Sequence, residues 1–314
     1  MEKVNVELPD GSVLEFDKGT TVEDVAYSIG TGLGRDAIAG VVDGKKVDVY
    51  YEIEDDVKLS IITIDSEEGL EVIRHTASHV MAQAVKRLYD NVKVAIGPDI
   101  EDGFYYDFDL EESFNQEDLE EIEKEMQKII DEDIPVRRKE LPREEAIELM
   151  KERGEDYKLE LIDELDDEMI SLYFQGDFVD LCRGPHLPST GYVKAYKLLN
   201  TAGAYWRGDE NKAMLQRIYG TAFASQKELD KYLERREEAK KRDHNKLGRE
   251  LDLFMTVDEI GQGLPLLKPK GAKVVQILQR FVEDEEEKRG YQITKTPFMA
   301  KSDLYKTSGH WDHY

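Results

Sequence analysis

The chain has 314 residues, 40% of them hydrophobic, which leaves room for two or three domains with cores of their own. Lys and Arg number 43 against 69 Asp and Glu, a formal net charge of −26, so the surface as a whole repels nucleic acid and any such contact must use local basic patches. No apolar run approaches a membrane span, the charged and alternating start MEKVNVELPDGS is not a secretory leader, and a single cysteine excludes an internal disulfide, which fits a reducing cytoplasm.

Residues 1–64 read as a small α+β unit. VNVELPDGSVLEF is two alternating strands joined by the turn Pro9-Asp10-Gly11. Thr20-Thr21 caps a helix over VEDVAYSIG, with Glu23 and Asp24 in its first turn and Gly30 as its stop. Strands follow in AIAGVVDGKKVDV and VKLSIITI. A hairpin, a helix and further strands suggest a ubiquitin-like grasp, and the absence of paired catalytic groups makes it a binding or docking module.

The second unit spans 65–225. A helix over Leu70–Leu88 turns the arc Ile73, Ala77, Val80, Met81, Ala84 and Leu88 toward a core, with His75 and His79 on its flank, where a cleft reaches them. GFYYDFD is strand-like. Between Glu111 and Asp133 lie eleven acids and two lysines, read as the solvated face of a helix over Gln116–Glu132. IPVRRKELP is a strand before a helix at Arg143–Arg153, and Leu172 to Tyr219 reads as strands and turns.

Residues 226–246 form a charged linker helix with no Gly or Pro until Gly248. Eight bases and four acids between Lys231 and Arg249 stand out against the acidic background and could meet a polyanion. The last segment, 247–314, opens on a Gly/Pro-rich stretch and continues as a long helix ending at Arg289-Gly290 and a strand running into Pro297. Its sixty-odd residues are too few for a core of their own.

Ligand-type side chains fall in two places. His75 and His79 stand at i, i+4 in RHTASHVMAQAV, and Cys182 and His186 stand at i, i+4 in DLCRGPH. Three imidazoles and a thiol are the N and S donors that zinc prefers, in the number that closes a tetrahedron. The same residues without an ion would serve hydrolysis, one imidazole acting as general base for a water. Spacing does not separate the two. Asp180, two residues before Cys182, shares its face on a strand, and Lys158 could offer a cation to a developing oxyanion, although by composition it is a surface lysine. Tyr205, Trp206 and Arg207 could stack on bases or touch phosphates, or Trp206 could fill a hairpin core. There is no Walker loop, and Gly32-Leu33-Gly34 is too short to be a nucleotide fingerprint.

Taken together, PDGSVLEF, GTTVEDVAYSIG, RHTASHVMAQAV, GFYYDFD, DLCRGPHLPSTG, TAGAYWRGDENKAMLQRIYGTAF, KRDHNKLGRELDLF and TPFM with SGHWDHY closely resemble the N-terminal half of the bacterial-type threonyl-tRNA synthetases. The resemblance implies an α+β, multidomain architecture: a TGS domain at 1–64, an editing domain at 65–225, the linker helix at 226–246, and at 247–314 the start of a class II antiparallel-sheet catalytic domain, with Arg289-Gly290-Tyr291 and Thr296-Pro297-Phe298 similar to motif 1. Such enzymes charge tRNA(Thr) with threonine using ATP, Mg and Zn, act as cytoplasmic homodimers, and hydrolyse mischarged seryl-tRNA in a separate site. That site maps onto His75, His79, Lys158, Asp180, Cys182 and His186, and the resemblance implies a positioned water there and no metal.

The family's zinc ligands, motifs 2 and 3 and the anticodon-binding domain match nothing up to Tyr314. The expectation is therefore a chain that edits and does not form threonyl adenylate. It would be a portion of a longer product or a stand-alone editing factor, with a non-catalytic tRNA-binding regulator as the rival.

Overall fold

The computed structural model describes residues 2–110, 113–261 and 263–312. Glu111 and Glu112 at the head of the acidic run, and His313 and Tyr314 at the end of SGHWDHY, lie outside the described residues. The chain divides into two compact units, Met1–Leu233 and Glu234–Tyr314.

The first unit starts with β1 (Lys3–Glu7) and β2 (Val13–Asp17), an antiparallel hairpin in which Val4 faces Phe16 and Val6 faces Leu14. Its turn is held by Asp10, whose carboxylate accepts from the Ser12 N–H and hydroxyl. After the short β3 (Thr20–Thr21), helix α1 (Val22–Ile29) begins on a capping box between Thr21 and Asp24 and ends at Gly30. The sequence Gly32-Leu33-Gly34 lies in the short helix α2 (Thr31–Asp36). Then come β4 (Ala37–Val42), β5 (Lys45–Asp48), β6 (Glu52–Ile53) and β7 (Val57–Thr63). The sheet order is β2-β1-β7-β4-β5, with β1 and β7 parallel at its centre. Val4, Val6, Val22, Val25, Ala26, Ile53 and Leu59 fill the space between this sheet and α1.

Helix α3 (Glu67–Leu88) starts three residues before the expected Leu70, because the Ser66 hydroxyl caps it by accepting from Gly69 N–H. It is followed by β8 (Lys93–Val94), β9 (Asp99–Ile100), β10 (Gly103–Asp109), α4 (Gln116–Asp131), β11 (Val136–Pro142), α5 (Arg143–Arg153), α6 (Asp156–Asp163), β12 (Met169–Gln175), β13 (Phe178–Leu181), β14 (Ala195–Tyr205) and β15 (Met214–Phe223). Two antiparallel sheets form, β14-β15-β10-β8 and β11-β12-β13. Alternation along β10 points Phe104, Tyr106 and Phe108 inward, where they share one core with Val72, Ile73, Ala77, Val80 and Met81 of α3, Ile122 and Met126 of α4, and Ile38 and Ile62 of the first sheet. Each fully buried side chain of this size contributes about 1.5–3 kcal/mol.

The flank of α3 thus differs from its expected place. The helix is wrapped by β10, α4 and the first sheet together, so burial runs around it from Val72 to Val85, with His75 the one partly open position in that stretch, and His79 lies inside the core instead of at its edge. Leu88, expected in the apolar arc, is 41% exposed because α3 ends there beyond its partners.

Helix α7 (Gln226–Lys241) stops short of the expected residue 246, since Asp243 caps a new helix, α8 (His244–Glu250), by accepting from Lys246 N–H. The second unit continues with β16 (Phe254–Met255) paired to β17 (Leu266–Leu267), α9 (Pro269–Lys288) and α10 (Ser302–Thr307). The strand expected to run into Pro297 is not formed. Residues 291–300 are irregular, Ile293 and Phe298 are exposed, and among the described residues no neighbouring strand offers that segment a ladder. No helix is long and apolar enough to cross a membrane.

Candidate active site

Four elements and one turn of the first unit converge. Helix α3 supplies His75, Thr76 and His79; β10 supplies Tyr106; α6 supplies Lys158; and β13 with the turn after it supplies Asp180, Cys182 and His186. One donor atom from each of His75, His79, Cys182 and His186 lies within 4.8 Å of all the others. The His75 and His79 rings each sit 4.2 Å, centroid to centroid, from the His186 ring. The turn after β13 depends on Gly184, whose φ of 70° is left-handed and whose missing side chain leaves room for the Tyr173 hydroxyl. Within it the Cys182 Sγ accepts from Gly184 N–H at 3.2 Å and faces His75 Nε2 at 3.2 Å and His186 Nε2 at 3.3 Å.

Hydrogen bonds behind two of the rings orient them. The Thr76 hydroxyl donates its one hydrogen to the Val72 carbonyl at 2.9 Å and accepts from Leu187 N–H at 2.9 Å. It can therefore only accept from His186 Nδ1, 3.1 Å away, which leaves His186 Nε2 with its lone pair toward Cys182. His79 Nε2 lies 3.3 Å from Asp180 Oδ2, so the carboxylate faces this nitrogen at ion-pair distance. His75 is hydrogen-bonded to the backbone of Pro185. His75 and His186 are thus held from behind and keep Nε2 for the centre, while His79 faces the Asp180 carboxylate, an arrangement that also supports metal ligands.

Asp180 is 2% exposed, its Oδ2 hydrogen-bonded and its Oδ1 met by an ion pair alone. Lys158 Nζ lies 2.5 Å from its Oδ1, and the Tyr106 hydroxyl donates to its Oδ2 at 2.5 Å while accepting from Lys158 Nζ at 3.0 Å. Burial pushes the Asp180 carboxyl up, but Lys158, His79 and Tyr106 together outweigh it and hold the group below its ordinary value, hence ionised. Burial pulls His79 down to about 3 against the pull of Asp180, and it lowers His75 and His186 as well, so all three rings are neutral near pH 7. Burial first, then the Asp180 charge, pushes the Cys182 thiol up to about 12. The centre is thus three neutral bases and a protonated thiol. Solvent reaches it on the side of His75 and Cys182, which are partly exposed next to the exposed Arg183, whereas His79 and His186 are buried.

All six residues singled out from the sequence fall in one connected network. Lys158 departs from the surface lysine that composition suggests, being 2% exposed. Its ammonium is bound to Asp180 and Tyr106, so it neutralises the carboxylate that orients His79 and does not stand free for an oxyanion. Tyr106 and Thr76 were missed. Alternation in GFYYDFD could have found the inward Tyr106, whereas nothing local marks Thr76 beyond its place between the two histidines. Trp206 fills a small core against Tyr157 and donates to Glu160 at 2.9 Å, and Arg207 pairs with Glu164, leaving Tyr205 as the exposed aromatic of that trio.

A TGS-domain family model matches residues 4–63, and the model described as "Threonyl and Alanyl tRNA synthetase second additional domain" matches residues 170–219, which include Asp180, Cys182 and His186. The chain is 61% identical over 312 residues to a threonine–tRNA ligase of Clostridium botulinum (strain Eklund 17B / Type B), covering 99% of this chain and 48% of that protein. It is 55% identical over 314 residues to the corresponding ligase of Geobacillus sp. (strain WCH70), covering 100% of this chain and 49% of that one. The same ligase of Acetivibrio thermocellus is 56% identical over 312 residues, 99% of this chain and 49% of the relative. The chain spans about half the length of the curated relatives it matches. Over its whole length the chain is thus similar to about half of a threonine–tRNA ligase, with a match to the TGS domain followed by one to the second additional domain.

Proposed function

We propose that the pocket of His75, His79, Cys182 and His186 hydrolyses the ester of serine misattached to tRNA(Thr), within a protein that charges this tRNA with threonine. The observation that carries the reading is the cluster of neutral imidazoles, open to solvent at one side. A thiol held near 12 is a poor nucleophile, which favours attack by water over a covalent route through Cys182. His75 is the least buried ring and takes a proton from that water as its oxygen adds to the ester carbonyl. The ester C–O bond to the ribose then breaks, and the ribose oxygen takes the proton back from His75. The free amino acid and deacylated tRNA leave. Asp180 and Thr76 hold His79 and His186 around the reacting group, and Lys158 keeps Asp180 charged.

Serine is the expected error. A site that grips the threonine hydroxyl rejects valine by leaving that grip unpaired, but the missing methyl of serine is worth only about 1–3 kcal/mol. For the complete ligase we extend the family assignments: ATP, Mg and Zn in its synthetic site, a homodimer, and a cytoplasmic location. None of the pocket residues named above is assigned to that chemistry.

The donor set favours a second reading. Three histidines and a cysteine within 4.8 Å fit zinc, which those four residues would hold. Held by three of the four, such an ion would keep a position for a water and lower its pKa, whereas all four together would close the site and leave it none. Closure of a tetrahedron would require Cys182 to lose its proton and the S–N edges to open to about 3.5 Å. The structure has those edges at 3.2 and 3.3 Å, so the one thiol hydrogen can bond to only one of the two imidazole nitrogens that face it. Metal content measured beside activity decides between them: full deacylation in chelator without stoichiometric zinc supports a positioned water, and activity lost to chelator and restored by zinc supports the ion. His75→Ala is expected to lower seryl-tRNA deacylation by roughly 10²–10⁴-fold. Binding of tRNA with no ester hydrolysis would instead support a tRNA-binding regulator.

A further inference from the structure

The last residue of β5 in the first sheet, Asp48, and the segment that follows it grip the turn that carries Cys182 and His186. Asp48 Oδ1 accepts from the His186 backbone N–H at 2.9 Å, and Asp48 Oδ2 accepts from the Tyr173 hydroxyl at 2.7 Å. Tyr173 is buried, its ring lies 4.4 Å from that of His186, and its hydroxyl occupies the space a side chain at Gly184 would need. Two residues further on, the Tyr50 ring lies 4.0 Å from the Arg137 guanidinium, which donates to the Pro188 carbonyl at 3.0 Å. Residues 48–50 thus reach the middle and the end of the turn.

The consequence for His186 is geometric. Its own N–H is anchored on Asp48, the next N–H, of Leu187, is anchored on Thr76, and its ring Nδ1 is anchored on Thr76 as well. A carboxylate acceptor makes the first of these charge-assisted and about twice as strong as a neutral bond. Among the described residues, neither oxygen of Asp48 makes a hydrogen bond inside the first sheet.

We propose that Asp48 is a positioning residue for the hydrolytic pocket, through which the TGS sheet sets the place of the Cys182–His186 turn. This rests on the hydrolytic reading above, and two readouts on the whole 314-residue chain keep the two apart. One is kcat and KM for seryl-tRNA deacylation. The other is the rate of alkylation by iodoacetamide at fixed pH, which reports the turn directly because Cys182 is the one cysteine in the sequence.

Asp48→Ala is expected to lower kcat on the order of 10²-fold, the scale for misplacement by about 1 Å, with KM nearly unchanged, and to speed alkylation several-fold. Asp48→Asn keeps an acceptor for His186 N–H and should recover about tenfold of that loss. Val6→Ala, in the core of the same sheet, lowers the melting temperature without either effect and so separates positioning from general loosening. Wild-type kcat and alkylation in Asp48→Ala, with His75→Ala inactive, overturn the positioning role alone. Full activity in His75→Ala overturns the hydrolytic reading, and the alkylation rate still decides whether Asp48 holds the turn. Should Asp48→Ala fail to fold, Asp48→Asn carries the test, and wild-type values there overturn the proposal.

Discussion

The pocket and helix α9 show opposite treatments of the same physics. In the first unit, charged and polar groups are driven inside: Lys158, Asp180, His79 and His186 are all 3% exposed or less, and each has a partner that makes its burial tolerable. In the second unit the apolar residues stay outside. Ile277, Leu278, Phe281 and Val282 of α9 are each at least 50% exposed, and among the described residues of that unit only Gly248 and Gly271 are buried. Amphipathic patterning makes a helix in both places, but burial requires a second surface, which β10, α4 and the first sheet give α3 and which, past Gly271, nothing described in its unit gives α9.

The largest effect that sharpens this contrast is at Asp180. Asp180→Ala leaves the Lys158 ammonium buried and unpaired, so it should cost about 3–5 kcal/mol in urea unfolding and abolish deacylation. A loss below about 1 kcal/mol would mean that the network is not buried as described.

Next comes pH. His75, His79 and His186 have folded pKa values below their unfolded value of about 6.5, so the unfolded chain binds more protons in that range. Their contribution to stability is complete above about pH 6.5 and is lost as pH falls toward the folded values, by up to about 1.4 kcal/mol per pH unit for each ring. Asp180, also lowered, adds its loss further to the acid side. Melting temperatures should therefore fall from pH 6.5 to pH 5, and a His79→Gln variant should show a shallower slope; an unchanged slope would contradict the buried, neutral state of this ring.

The smallest effect belongs to α9. Phe281→Ser should change stability by no more than about 0.5 kcal/mol, leave deacylation unchanged, and reduce self-association measured by light scattering. A large loss of stability would show that this face is covered in the folded chain.

Much of this was legible in the sequence where the signal is local. The Asp10-Gly11 turn, the Thr21 cap with Asp24, the stop at Gly30 and the extent of α5 all follow from backbone chemistry within a few residues. The i, i+4 pair His75/His79 announced a site because on a helix that spacing faces one way, whereas Cys182 and His186 meet only because the irregular turn bends at Gly184. What sequence could not supply was the far side of each contact. Lys158 looked like any surface lysine until β13 placed Asp180 beside it, and Asp48 and Tyr173 carry no motif because their meeting is set by how the first sheet packs on α3. The strand expected before Pro297 failed for the same reason, since a strand needs a neighbour that local pattern does not provide.

The central claim is that these imidazoles perform ester hydrolysis, and the most direct measurement is release of labelled serine from seryl-tRNA(Thr) by the purified chain beside its His75→Ala variant, with threonyl-tRNA(Thr) as the second substrate. The account predicts rapid release of serine, slow release of threonine, and loss of serine release on the order of 10²-fold or more in the variant. Serine release no faster than the uncatalysed ester, or equal release by both proteins, would contradict it.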